Sequence, residues 1–274
     1  MIIENNFILG ANTPYPSDYD SGLLCPVLRK NGRQIIKIDD SYPFYGVDIW
    51  TAYEVSWLDL KGKPRFAIAE ITMSCKTKNI VESKSLKLYL NSLNQLKCES
   101  GDRVSALIKK DIESCVEGSV DVRMYSLNDF CIRGLPSFSG ILLDDLDVVI
   151  DSYNPDSSLL FAEESSEIVR ETLYSHLLKT NCPVTGQPDW ASIMIRYTGH
   201  PINAVGVLKY IISYRHHQDF HEQCVERIYS EIYTRCRPIE LEVYARYSRR
   251  GGLDINPYRS SKKIHPPLIR ISCQ

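Results

Sequence analysis

The sequence predicts an α+β protein built from two similar units on one chain, and three observations carry that expectation. The hydrophobic pattern of each half runs in the same order, strand–strand–helix–helix–strand. A stretch punctuated by Asn154-Pro-Asp-Ser-Ser158 separates the halves. At 274 residues the chain can bury a substantial core as one large domain or two smaller ones.

The first 45 residues are rich in Pro, Gly, Asn and Asp and read as an irregular lead-in with one or two short strands. Tyr53–Asp59 and Arg65–Ser74 are β-branched and aromatic, and Leu60-Lys-Gly-Lys-Pro64 between them reads as a hairpin turn. Ser85–Leu96 sets Leu86, Leu90, Leu93 and Leu96 near one helical face. Arg103–Cys115 does the same with Val104, Leu107, Ile108 and Ile112. Gly118 ends that run, and Val120–Tyr125 resumes as a strand. Residues 127–160 join the halves, with Leu142–Ile150 suited to an edge strand or a packed linker. The second half repeats the order, with strands at Glu167–Lys179 and Ala191–Tyr197. Helices follow at Ala204–Tyr214 and Phe220–Tyr233, then a strand at Ile239–Tyr247. The expected division is a lead-in (1–45), an N-terminal module (46–135), a linker (136–160) and a C-terminal module (161–274).

Composition narrows the function classes. The chain is 43% hydrophobic and 24% charged with a net charge of −2, which argues against a mainly electrostatic nucleic-acid binder. Small molecules and other subunits are the expected partners. No stretch approaches the ~18 uninterrupted apolar residues of a membrane span. Met1–Asn6 runs into Gly10 and Pro14 without a cationic, apolar leader. The nine cysteines are scattered with no C-x-x-C pair. Cys75, Cys98, Cys115, Cys131, Cys224 and Cys236 sit in periodic segments, where a thiol packs as a small hydrophobe. A reducing, cytoplasmic location fits.

Asn181-Cys-Pro-Val-Thr-Gly-Gln-Pro-Asp-Trp190 carries the clearest chemistry. It leaves a strand and is full of turn formers, so Cys182 stands on a loop, unlike the cysteines of the helices. Asp189 follows where the turn can curl back. A thiol that attacks an electrophilic carbon and an acid that manages protons on the adduct make a coherent pair. A packed Cys and a turn-capping Asp form the bland alternative. Phe220-His-Glu222 opens a helix. Its Glu222 either answers the helix dipole or accepts hydrogen bonds from an N–H-rich heterocycle. In Val81-Glu-Ser-Lys-Ser-Leu-Lys-Leu-Tyr-Leu90, Glu82 and Ser83 suit a helix cap, while Lys84 and Lys87 suit a solvated face or phosphates. In Arg249-Arg-Gly-Gly252, glycines permit close backbone approach and arginines suit a phosphate. His216, His217 and His221, with Cys182, are candidate zinc ligands by residue type. No second Cys is well placed among them, and no metal is expected. G-x-G-x-x-G is absent, so a nicotinamide cofactor needs another mode of binding.

Taken together, Cys-Pro-Val-Thr-Gly-Gln-Pro-Asp-Trp, Glu-Ser-Lys-Ser-Leu-Lys-Leu-Tyr, Phe-His-Glu and Arg-Arg-Gly-Gly resemble one family. It is the NADPH-dependent 7-cyano-7-deazaguanine reductases of queuosine biosynthesis, in their long two-module form. The resemblance runs from about Tyr15 to the C-terminus. It implies tandem tunnelling-fold (T-fold) modules, antiparallel sheets each backed by paired helices. Ala204-Val-Gly-Val-Leu-Lys209 looks like a worn copy of the Glu-Ser-Lys-Ser-Leu-Lys segment. By resemblance Cys182 is the nucleophile that forms a thioimide, and Asp189 is the proton donor. Val81, Glu82, Ser83, His221 and Glu222 match substrate positions, and Ser83, Lys84, Arg250 and Gly251 match NADPH contacts. The family implies NADPH as co-substrate, a homodimer, no metal and no direct nucleic-acid contact. A zinc-dependent hydrolase on the same fold and a non-catalytic purine binder are the competing expectations.

Overall fold

Pro26–Leu28 (β1) and Arg29–Ile35 (α1) give regular structure to part of the stretch read as an irregular lead-in. The computed structural model describes residues 15–38, 44–132, 134, 136–267 and 269–274. The chain folds into two units that interleave in sequence. The first takes Met1–Asn31, Ile49–Gly134 and Arg249–Asp254; the second takes Gly32–Asp48, Leu135–Ser248 and Ile255–Gln274. The expected lead-in, two modules and linker follow chain order without this interleaving, because periodicity reports local elements and not which distant segments they join.

In the first unit, turn chemistry sets the leading hairpin, between Tyr45–Leu58 (β2) and Pro64–Ser74 (β3). Gly62 takes φ 83°, and one oxygen of Asp59 accepts from the N–H groups of Lys61 and Lys63, both at 3.0 Å. Asn79–Val81 (β4) pairs antiparallel with β1. Ser83–Ser92 (α2) and Gly101–Val116 (α3) follow, then Val120–Tyr125 (β5), antiparallel to β3 from Ile68↔Tyr125 to Met73↔Val120. The strand order is β5-β3-β2. Leu86, Tyr89, Leu93, Val104, Ile108 and Ile112 are buried with Ile71 and Met73, as the helical periodicity requires. Leu127–Ile132 (α4) closes the unit, placing Phe130 on Tyr53 and Ile68. Cys131, expected to pack, is exposed on that short helix.

In the second unit, Ile141–Leu142 (β6) runs parallel to Val169–Asn181 (β7) as an edge, while residues 143–150, read as an edge strand or a packed linker, form no strand. Asp144 accepts from Ser175 Oγ (2.6 Å) and His176 N (3.0 Å), holding the register shift between Ser175 and Leu178. Pro188–Gly199 (β8), Ala204–Ser213 (α5), His221–Cys236 (α6), Glu240–Tyr247 (β9) and, from Ile255 onward, Leu253–Ser260 (β10) complete it, in the strand order β10-β9-β8-β7-β6. The mixed α+β class with antiparallel pairing therefore holds.

β10 is not expected from the sequence, because Asp254, Asn256, Pro257 and Arg259 interrupt any apolar alternation. Its polar side chains are buried because they are partnered. Asp254 accepts from Tyr53 Oη within the first unit (2.6 Å). Asn256 accepts from Gln274 Nε2 (2.6 Å), and Arg259 is tied to Asp48 and Glu226 (2.8 Å each) within the second.

The two helix pairs are built alike. α2 and α5 each pass into a short 3₁₀ turn, and Ser92 and Ser213 each donate to the carbonyl of a Tyr, Tyr89 or Tyr210, at 2.6 Å. Each of those tyrosines donates in turn to a carboxylate on the following helix, Asp111 or Glu231. α3 and α6 both end on a left-handed residue, Glu117 (φ 49°) and Arg237 (φ 48°).

Candidate active site

The Cys182 loop is a tight closure at the end of β7. Cys182 N donates to Gln187 O (2.8 Å), and Gly186 N, at φ 68°, donates back to Cys182 O (2.9 Å). The antiparallel register sets Asp189 opposite Thr180, two residues before Cys182. Cys182 and Asp189 are each only 5% exposed, so the loop presents a sheltered thiol and a sheltered carboxylate.

Asp189 Oδ2 lies 3.3 Å from His221 Nε2, at the first position of α6. The His221 ring stacks flat on Tyr247 at the end of β9, with centroids 3.7 Å apart and planes 1° apart. Tyr247 in turn pairs with Ala191, two residues beyond Asp189, so the paired strands β8 and β9 fix one imidazole between them. Burial raises the Tyr247 phenol well above its ordinary value, and the neighbouring Cys224, Asp189 and Glu222 reinforce this. It stays a neutral platform.

Glu222, the second residue of α6, is only 2% exposed. A carboxylate answering the helix dipole needs no such burial, since the dipole acts on solvated side chains too. α6 also begins without a side-chain cap, because Phe220 stands where the matching helix α3 has Ser100, which accepts from Arg103 N. A lost cap costs about 1 kcal/mol. This helix start keeps His221 and Glu222 at its opening instead.

The remaining expected residues lie in the first unit. Val81 ends β4 and is buried. Glu82 caps α2, its two oxygens accepting from Lys84 N and Ser85 N at 2.8 Å each, so the capping alternative is realised. Ser83 and Lys84 open the helix. Arg250 and Gly251 lie in the turn before β10, where Gly251 (φ 60°) and Gly252 (φ 76°) need glycine for backbone reasons. A Cβ on Gly251 would fall 3.0 Å from Lys87 Nζ, and one on Gly252 would fall 2.7 Å from Glu54 Oε2. Arg249 lies over the Tyr53 ring at 4.6 Å. Lys87 thus stands beside the glycine turn that Arg249 and Arg250 lead into.

Sequence reasoning passes over Tyr247, Asp219 and Cys224. Tyr247 reads as one more aromatic in a strand, and Cys224 as a packing residue. His217, Asp219 and Cys224 place their ligand atoms within 4.8 Å of one another, whereas the histidines that spacing offers as zinc ligands are His216, His217 and His221. His216 instead packs against Tyr153.

The second unit of this α+β scaffold thus carries a buried thiol, a carboxylate–imidazole pair and a buried helix-start carboxylate. The comparisons make this particular. The family model described as nitrile reductase, 7-cyano-7-deazaguanine-reductase N-term, matches residues 15–124, and that of QueF-like protein matches residues 188–266. An NADPH-dependent 7-cyano-7-deazaguanine reductase of Cupriavidus metallidurans is 50% identical over 95% of both chains. One from Burkholderia multivorans is 51% identical over 92% of both, and one from Bordetella avium is 49% identical over 94% of both. The chain belongs to the NADPH-dependent 7-cyano-7-deazaguanine reductase family, a family of oxidoreductases. A solved structure, archaeosine synthase QueF-Like in the apo form, is similar only in part: TM-score 0.32 and 16% identity over 36% of this chain and 98% of that one.

Proposed function

We propose that this chain reduces the nitrile of 7-cyano-7-deazaguanine to the primary amine of 7-aminomethyl-7-deazaguanine, a four-electron NADPH-dependent step of queuosine tRNA modification. The observation that carries the reading is the sheltered Cys182 loop with Asp189 held by His221, in a chain half identical to reductases of that name.

A nitrile is a poor hydride acceptor, and a thioimide is a better one. Cys182 Sγ bonds the nitrile carbon as its thiol proton passes to the Asp189 carboxylate, which delivers it to the nitrile nitrogen. Once that carbon is reduced, the C–S bond breaks, Cys182 recovers its thiol, and the imine left behind is reduced in turn. NADPH, when bound, supplies the two hydrides. Ser83, Lys84, Arg250 and Gly251 are the residues assigned to hold it, and a glycine turn with Lys87 beside it supports that assignment. Burial of Cys182 and Asp189 keeps water from an imine that would hydrolyse to an aldehyde. Val81, Glu82, Ser83, His221 and Glu222 are assigned to the deazapurine. Glu222 accepts from its ring and exocyclic N–H groups.

Each unit is read as a tunnelling-fold module, and the working form as a cytoplasmic homodimer. Among the described residues, no helix is long and apolar enough to cross a membrane.

The test is purified protein with the nitrile, NADPH and no added metal. Two NADPH are consumed per amine formed, and intact mass detects a covalent adduct. Cys182→Ala loses both turnover and adduct; full turnover in that variant would overturn the covalent route.

A further inference from the structure

His217, Asp219 and Cys224 lie in the second unit, outside the residues used by the reductase reading. Their side chains offer one nitrogen, one oxygen and one sulfur, all within 4.8 Å of one another. The donors are already oriented. Asp219 Oδ1 accepts from Phe220 N (2.9 Å), which leaves Oδ2 turned to His217 Nε2 at 3.6 Å. The His217 ring is held edge-on against Tyr214, with centroids 5.3 Å apart. Its backbone is fixed from both sides: His217 N donates to Tyr214 O (2.8 Å), and His217 O accepts from Asn181 N (2.8 Å). Cys224 is fully buried one turn into α6.

One further observation points to a ligand. His217 Nε2 is buried and makes no hydrogen bond among the described residues. A buried polar atom left so costs about 1–3 kcal/mol. A packing role for Cys224 and a weak His–Asp pair leave that cost unexplained, whereas a bound cation removes it.

From this we infer that His217 Nε2, Asp219 Oδ2 and Cys224 Sγ form a binding site for a thiophilic divalent cation of the zinc class. The mixed nitrogen, oxygen and sulfur set suits zinc and disfavours magnesium and calcium, which take oxygen shells. In a tetrahedral site with bonds of about 2.1 Å, ligand atoms stand about 3.4 Å apart. The His217–Asp219 pair is already near that spacing at 3.6 Å. Closing the site needs only about an ångström more from the sulfur, within reach of a side-chain rotation. Binding releases the Cys224 thiol proton to solvent, and water takes the fourth position. The occupied site ties the 217–219 segment to α6, and that segment is already bridged to Asn181, beside Cys182. The inference is independent of the reductase reading, since the site uses none of its assigned residues.

The test uses the full chain, reduced and stripped with a chelator, then titrated with zinc against a competing indicator and separately with cobalt(II). One zinc binds per chain, and cobalt gives the near-ultraviolet charge-transfer absorption of a thiolate ligand. That absorption disappears in Cys224→Ser and persists in Cys182→Ser. His217→Ala and Asp219→Asn, which lie in the segment before α6 and outside the apolar core, each weaken zinc by on the order of 10–100-fold or more, at least the cost of losing an outer-shell partner. The inference is overturned if zinc does not bind stoichiometrically. It is equally overturned if His217→Ala and Asp219→Asn bind zinc as the unaltered chain does, or if the cobalt band follows Cys182 instead of Cys224.

Discussion

Glu226→Gln probes what holds α6 in place. Glu226 lies four residues after Glu222 on that helix and is 2% exposed. Its Oε1 accepts from Arg33 (2.8 Å) and from two nitrogens of Arg259 (3.1 and 2.8 Å), and its Oε2 accepts from Arg33 Nε (2.8 Å). Arg259 is itself fully buried and reaches Asp48 Oδ1 (2.8 Å). Both guanidinium groups flank the Phe44 ring, at 5.8 and 5.7 Å. Among the described residues the cluster holds two cations and two carboxylates. The amide of Gln removes one of those carboxylates from beside two guanidinium groups with almost no water. Breaking a buried pair in this way costs about 3–5 kcal/mol. At roughly 2–4 °C per kcal/mol for a fold of this size, the melting temperature falls by roughly 6–20 °C. Calorimetry or a circular dichroism melt reads this directly. Adding Arg33→Met removes a guanidinium that has lost its carboxylate partner on α6 and recovers part of the loss. A fall below about 3 °C, or a further fall in the double variant, refutes the account of the cluster as one balanced unit.

Three other outcomes follow from packing and linkage. A Cβ on Gly46 would meet Tyr258 O at 2.1 Å, so Gly46→Ala forces backbone apart and lowers the urea midpoint; an unchanged midpoint contradicts that contact. Gln274→Ala removes donors to Tyr247 O (2.9 Å) and Asn256 (2.6 Å) and the acceptor for Arg246 Nε (2.8 Å). It destabilises by about 1–3 kcal/mol, read by denaturant titration, and a neutral result means water replaces the amide. Burial pushes the Cys115 thiol up to about 12 and the Cys236 thiol up to about 11, from an ordinary 9.0. Their raised folded values make a contribution that is complete below about 9. It is lost as the pH climbs towards those values, because the unfolded thiols ionise first. Urea midpoints should therefore fall with alkaline pH, and less steeply in Cys115→Ala/Cys236→Ala; an identical slope removes the thiols as the cause.

Most regular elements are legible in the sequence because each buries one face and shows its period. Leu86, Leu90 and Leu93 mark α2, and the turn at Gly62 marks the first hairpin. β10 is illegible for the opposite reason: its buried residues are polar and are satisfied by partners far along the chain, such as Gln274 and Glu226. The motifs around Cys182, Asp189, His221 and Glu222 stand out through loop chemistry and helix position. The stacking of His221 on Tyr247 does not, since it depends on the pairing of β8 with β9, and no local pattern encodes which strands become neighbours. The cap at Glu82 follows from its place before α2. The grouping of Asp219 with His217 and Cys224 depends on how the segment before α6 curls, which spacing alone leaves open.

The interleaved threading of the units bears on how the chain can be divided. A cut within the 136–160 linker looks natural from the sequence, yet neither product would hold a whole unit. The front fragment carries Gly32–Asp48, which belongs to the second unit, and the rear fragment carries Arg249–Asp254, which belongs to the first. The front piece would keep Tyr53 and lose Asp254, while the rear piece would keep Glu226 and lose Arg33 and Asp48. Each fragment would thus bury a polar group whose partner was synthesised in the other. The two should be poorly soluble when expressed singly and regain order only when mixed, which makes this chain a natural candidate for a split-protein reporter.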